Sequence, residues 1–229
     1  MLNRMFALFA AATFSVVAHA AAPTPVAGNP YATLEAPQPV TTGKQIELIE
    51  FFWYRCPHCY ELEPALTTWL KKLPKDVQLR RVPAIFRDDW LPAAKIYYAL
   101  QDVGAEKLHS EVFDAYHLDN LNLDNEAVLM DWVAKKGVDR AKFASSYQSF
   151  STQSKATQGG MLGRVYNLKG VPSFVVDGKY VTAESMTGSR PALFATLDQL
   201  IVKARKARAP AKTTHKSSSK AAVPHPHQH

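Results

Sequence analysis

The two cysteines of this 229-residue chain stand together as Cys56-Pro57-His58-Cys59, directly after the apolar run Ile46–Tyr54. This C-x-x-C pair lies where a strand-like segment gives way to a helix-like one. A helix N-terminus carries unpaired N–H groups and the positive end of the helix dipole, and both stabilise a thiolate. Cys56 is expected to cap that helix, with Pro57 in the first turn, where a missing N–H costs nothing. The spacing therefore predicts an acidic, exposed and nucleophilic sulfur at Cys56. Cys59, one turn along, is placed to complete or resolve a disulfide. Two other chemistries use paired cysteines. A zinc site needs about four ligands, but there is no third cysteine, and His109 and His117 lie eight apart. That is wider than the usual gap of about three to five residues. A purely structural disulfide is the other option, yet so small a ring removes little unfolded-chain entropy. Redox catalysis is the reading the motif favours.

The N-terminus indicates where such chemistry would take place. Met1–Arg4 is a short basic start, Met5–Ala18 is a fourteen-residue apolar stretch, and Ala18-His19-Ala20 is an A-x-A cleavage pattern. Residues 1–20 are thus expected to be a secretory signal peptide, too short for a membrane-spanning helix. The destination is then an oxidising compartment in which disulfides persist. With both cysteines in one motif, neither is kept for ordinary crosslinking.

Removing the signal leaves enough chain for one large domain or a domain with an insertion. The formal charge of +7 is unevenly spread. Seven basic residues, from Lys203 to Lys220, follow the last acid, Asp198, and Arg4 leaves with the signal. Positions 21–202 then hold 19 basic and 20 acidic residues, so nucleic acid is a poor expectation as a partner.

The elements that must position the cysteines can be read in order. Tyr31–Leu34 suits a short edge strand, and Ile46–Trp53 a strand buried on both faces. Residues 57–72 suit a helix with Leu62, Leu66, Trp69 and Leu70 on one side and a kink at Pro64. Val77–Val82 is the next strand. The period then turns helical. Asp89 is the expected cap of a helix ending at Gly104, followed by the stripe Leu108, Val112, Phe113, Tyr116. Asp124 and Asp139 are expected to start two more helices, the second carrying Phe143, Tyr147 and Phe150. A fifth, weakened by Gly159, Gly160 and Gly163, spans Gln153–Tyr166. Strand character returns in Val171–Val176, turns at Asp177-Gly178 and continues to Val181. Pro191–Arg205 is an amphipathic closing helix. From about Ala207 the Lys/Ala/Ser/Pro-rich, His-containing segment is expected to be disordered.

Strand, C-x-x-C, helix, strand, a helical insert, then strand, hairpin and helix is the order of an α/β, thioredoxin-like fold interrupted by an all-helical insertion domain. The expected divisions are 1–20, 21–86, the helical domain 87–156, 157–206, and the tail 207–229. Here Glu50-Phe51-Phe52-Trp53-Tyr54-Arg55-Cys56-Pro57-His58-Cys59 and Gly170-Val171-Pro172-Ser173-Phe174 resemble the signatures of the DsbA family of periplasmic thiol:disulfide oxidoreductases. The resemblance covers roughly Tyr31 to Ala204.

That resemblance implies roles for individual residues. Cys56 would carry a disulfide to substrate through a mixed disulfide that Cys59 resolves. His58 would lower the energy of the Cys56 thiolate and so make the disulfide strongly oxidising. Val171-Pro172 would be the family's cis-proline loop, offering Val171 backbone groups to an extended substrate. Glu50, an acid inside an apolar strand where an unpaired carboxylate is expensive, would be the buried acid beneath the cysteines. Its expected partner is Arg81, where the family more often has lysine. Arginine stays charged, which leaves open any proton-transfer role for that partner.

The expected partners are newly exported, cysteine-containing unfolded proteins and a DsbB-type, quinone-linked membrane re-oxidant. No cofactor is expected beyond the redox-active Cys56–Cys59 pair, and no metal. A disulfide isomerase or reductase of the same fold is the nearest alternative. The chain length leaves no room for the dimerisation domain usual in such isomerases, and a monomer is expected. A periplasmic metal chaperone and a non-catalytic binding module are more distant alternatives.

Overall fold

The computed structural model describes residues Gly28–Ala209. The expected signal peptide, 1–20, lies outside the described residues, as does all but the first three residues of the expected tail.

Among the described residues, five strands form one mixed sheet: β1 (Ala32–Thr33), β2 (Ile46–Phe52), β3 (Val77–Pro83), β4 (Ser173–Val176) and β5 (Tyr180–Thr182), in the order β1-β5-β4-β2-β3. β2 runs parallel to β3 and antiparallel to β4. Every residue of β2 is buried, its two glutamates included, because both faces of the sheet are covered. Ile46 and Leu48 face a cluster with α1 (Pro57–Leu70) and the closing helix, α8 (Arg190–Arg208). Ile49 and Phe51 face the opposite side, against Tyr166 and Leu162. Alternation along one strand thus feeds two separate cores.

Between β3 and β4 lie α2 (Leu91–Asp102), α3 (His109–His117), α4 (Glu126–Lys135), α5 (Arg140–Gln148) and α6 (Phe150–Val165); the short α7 (Glu184–Thr187) precedes α8. This is a thioredoxin-like sheet with a helical insertion, as the sequence implied. A third apolar cluster joins the two parts: Phe52, Tyr54, Cys56 and Cys59 pack with Ile96, Val112, Phe113, Leu129 and Phe143. The cysteines therefore stand at the seam between sheet and insertion.

Several local expectations are corrected. Asp89 lies in a 3-10 turn paired with Arg87, and α2 starts after Trp90 without a side-chain cap. Asn125, not Asp124, caps α4, accepting from the amides of Ala127 and Val128 at 3.0 and 3.2 Å. Phe150 is 86% exposed, because it opens α6 after the Ser149 cap instead of extending the α5 stripe. α6 is one unbroken helix across the expected division at 156/157, and its glycines are contact points. A Cβ at Gly159 would come within 3.1 Å of the Pro83 carbonyl, and one at Gly160 within 3.0 Å of Ile85. α8 continues through Arg208, past the expected tail boundary at 207.

Candidate active site

The handover from β2 to α1 sets the site. A turn closed by the Cys56 N–H on the Trp53 carbonyl, 2.9 Å, ends the strand and starts the helix at Pro57. Cys56 is the N-cap residue with an extended backbone (φ −80°, ψ 117°), and Pro57 occupies the first helical position. Both cysteines are free thiols, so the structure describes the dithiol form.

Exposure of Cys56 is corrected: it is only 7% exposed, against 3% for Cys59. The loop before β4 covers it, and its thiol donates to the Val171 carbonyl at 3.4 Å. The Val171–Pro172 bond is cis. Residues 115 positions apart in sequence thus meet at one sulfur.

The two thiols diverge in acidity. Cys56 is pushed down to about 6, first by the hydrogen bond from the Cys59 thiol. Burial opposes this, while the Cys59 and His58 amides and then the His58 charge add to it. Burial pushes Cys59 up, and its position beside the Cys56 sulfur pushes it further. One sulfur is thereby the nucleophile and the other a protonated reserve. His58 is a smaller contributor than its place between the cysteines suggested: its side chain is 79% exposed, 3.8 Å from the Glu61 carboxylate.

Beside the thiols opens a groove of about 810 Å³, lined by His58, Tyr166, Leu168, Val171, Pro172 and Met186 among others. The buried Tyr166 hydroxyl has no hydrogen-bond partner among the described residues.

Beneath the cysteines, Glu50 is 2% exposed and bonded to Arg81, Nε to Oε2 2.9 Å. The parallel register of β2 and β3 places the two residues side by side, so the expected pair is present. Burial, together with the charge of Glu63, raises the Glu50 carboxyl above the usual carboxylate range, although Arg81 acts the other way. Glu63 on α1 is the second acid on this arginine, at 3.5 Å. Glu63 was not singled out from the sequence, although its i, i+4 spacing from Cys59 puts it on the buried stripe of α1.

Further contacts tie the site to the insertion. The Tyr54 hydroxyl and His109 Nδ1 share a hydrogen bond of 2.8 Å, and His117 Nε2 donates to the Tyr54 carbonyl at 2.8 Å. Asp124 accepts from Arg55 at 2.7 Å and from the Tyr116 hydroxyl at 2.8 Å. Trp53 stacks on Trp90, centroids 3.8 Å apart. None of these pairings has a local signal, because their members are 8 to 69 residues apart. Among the described residues no group of three or more His, Cys, Asp or Glu side chains is placed to hold a metal ion.

The sequence pattern of the DSBA-like thioredoxin domain matches residues 75–196. The thiol:disulfide interchange protein DsbA of Burkholderia cepacia is 40% identical over 187 residues, 81% of this chain and 88% of the relative. That of Pseudomonas aeruginosa is 38% identical over 182 residues, 79% of this chain and 86% of the relative. A crystal structure of Pseudomonas aeruginosa DsbA aligns with TM-score 0.75 at 38% identity, covering 80% of this chain and 95% of that one. The Xylella fastidiosa DsbA structure aligns at 0.72 and 26% identity, covering 80% and 98%. With an acidic cysteine at a helix start, its buried partner one turn on and these relatives, the chain belongs to the DsbA family and is a thiol:disulfide oxidoreductase.

Proposed function

We propose that this protein is a periplasmic oxidase that donates its Cys56–Cys59 disulfide to newly exported proteins. The observation that carries the reading is the asymmetry of the thiols: Cys56 is lowered to about 6 while Cys59 is raised. A stabilised thiolate favours the reduced enzyme, which makes the disulfide a strong oxidant.

In the oxidised enzyme a substrate thiolate attacks Cys56 Sγ. A substrate–Cys56 disulfide forms, the Cys56–Cys59 bond breaks, and Cys59 leaves as a thiolate that takes up a proton. A second substrate thiolate then attacks the substrate sulfur of the mixed disulfide and expels Cys56 as its stabilised thiolate. The substrate loses two electrons and two protons; the enzyme disulfide takes both electrons and becomes the Cys56 thiolate and the Cys59 thiol, Cys59 keeping one proton while the other passes to solvent. If the second thiolate is slow, Cys59 attacks Cys56 and releases the substrate unchanged. The Val171 carbonyl, beside Cys56, is the group an extended substrate strand would meet, and Pro172 and the adjoining groove take its side chains. Glu50, raised by burial, is suited to exchanging a proton with Cys59. A quinone-linked membrane partner of the DsbB type returns the enzyme to its disulfide.

Equilibration of the pair with glutathione tests the reading. The expected result is a disulfide reduced by glutathione far more readily than an ordinary structural disulfide, together with oxidation of a reduced, unfolded substrate. Cys59→Ala is expected to trap substrate on Cys56. A hard-to-reduce disulfide without substrate oxidation would turn the assignment to a reductase.

A further inference from the structure

Cys56 and Cys59 are flanked by Tyr54 and Tyr60, and one imidazole touches both flanks. His117, the last residue of α3, donates from Nε2 to the Tyr54 carbonyl at 2.8 Å. The same ring lies flat on Tyr60, with centroids 4.6 Å apart and planes 6° from parallel. A carbonyl only accepts, so the bonded nitrogen carries a proton whether the ring is neutral or charged. The contact is therefore a donor bond in either form of the ring.

What it holds matters. The Tyr54 carbonyl lies within the turn that the Cys56 N–H closes on the Trp53 carbonyl, and this turn sets where α1 begins. Tyr54 is tied a second time, by its hydroxyl, to His109 two turns earlier on α3. Tyr60 follows Cys59 directly, so the stack fixes the other end of the motif. The first-turn amides and the Cys59 thiol act on the Cys56 sulfur only at close range, since helix-terminal charge fades within one turn. A small displacement of the turn changes how much thiolate they stabilise.

We propose that His117 is a positioning residue for the redox pair, linking the helical insertion to both flanks of the motif and thereby setting its oxidising strength. The proposal rests on Cys56–Cys59 being the redox pair, and it touches neither sulfur directly.

Two substitutions of similar volume separate the bond from mere packing. His117→Gln keeps an N–H that reaches the Tyr54 carbonyl, whereas His117→Met has none. The full-length protein and both variants are equilibrated with glutathione, and Cys56 thiolate absorbance is followed against pH. Met is expected to weaken the oxidant by about threefold to tenfold and raise the thiolate midpoint. Gln is expected to stay within about twofold of the parent. If Met matches the parent, or Gln shifts as far as Met, the proposal is overturned. It is equally overturned if denaturant melts show the oxidised and reduced forms of Met losing the same stability, because His117 is then structural only. Should Met fail to fold, His117→Phe, which keeps the ring and loses the donor, takes its place with the same expectations. A parent protein that is itself a weak oxidant defeats the proposed function, and the Gln–Met comparison still reads the role of His117.

Discussion

At Cys56 the largest stabilising contact comes from Cys59, and the charge of His58 is the smallest of the contributions. The order yields a prediction about variants. Cys59→Ala should raise the thiolate midpoint of Cys56 from about 6 by more than His58→Ala does, both read from thiolate absorbance. His58→Ala should still weaken the oxidant, and a larger effect at His58 than at Cys59 would reverse the ranking. Below the cysteines, Arg81 serves two buried carboxylates, Glu50 and Glu63. Removing one member of a buried ionic cluster costs about 3–5 kcal/mol, chiefly because the rest stays unpaired. Arg81→Leu should therefore lose about that much at neutral pH. Both acids already titrate above their unfolded values. The folded protein then binds the extra protons, so stability falls as pH rises through the interval between the unfolded and folded values. The loss should accordingly shrink toward pH 4 in melts across pH, and a pH-independent loss would show that the carboxylates are not the cause. The motif was legible because four adjacent residues carry it. Glu63, His109, His117 and Asp124 were not, because their partners are set by tertiary packing.

The hairpin that carries the Val171–Pro172 loop shows what local chemistry does encode. Asp177 and Gly178 both have positive φ, 56° and 64°, the primed turn that Asp-Gly favours between strands. A Cβ at Gly178 would stand 2.2 Å from the Gln38 carbonyl, so the position admits only glycine. What sequence did not reveal is how the hairpin is held from outside. Arg208, at the end of α8, forms an ion pair with Asp177 and donates to the carbonyls of Gly43, Lys44 and Gln45. The expected tail began near Ala207, yet Arg208 is held in α8, and Arg205, within the expected closing helix, pairs with Asp76 at 2.6 Å. Charged hydrogen bonds contribute about 1.5–3 kcal/mol each, and coupled ones fall short of additivity. Arg208→Ala should thus lose about 2–3 kcal/mol in denaturant melts. Ending the chain after Ala209 should leave stability and substrate oxidation unchanged. A truncation that loses activity would assign residues 210–229 a part in binding.

Over the whole molecule, the redox state and the folding equilibrium share one thermodynamic cycle. The unfolded Cys56 thiol ionises near its ordinary value of about 8.5, and the folded one at about 6. A folded value below the unfolded one stabilises the reduced protein fully above about 8.5 and loses that effect as pH falls through about 6. The contribution is close to zero at pH 5, about 1.4 kcal/mol at pH 7 and about 2.5 kcal/mol at pH 8. Cys59 adds little in this window, because its raised value delays ionisation only where the unfolded thiol would ionise. Oxidation removes the thiolate and closes a ring so short that the chain-entropy gain is about 2 kcal/mol. The two effects oppose each other, and pH decides between them. The oxidised protein should hold an advantage of about 2 kcal/mol at pH 5, and the balance should shift by about 2.5 kcal/mol toward the reduced form by pH 8, where the oxidised protein is the less stable form. Paired denaturant melts of the oxidised and reduced protein at pH 5, 7 and 8 measure this. A difference that stays flat across the series would mean that folding does not stabilise the Cys56 thiolate. The strong-oxidase reading would lose its physical basis with it.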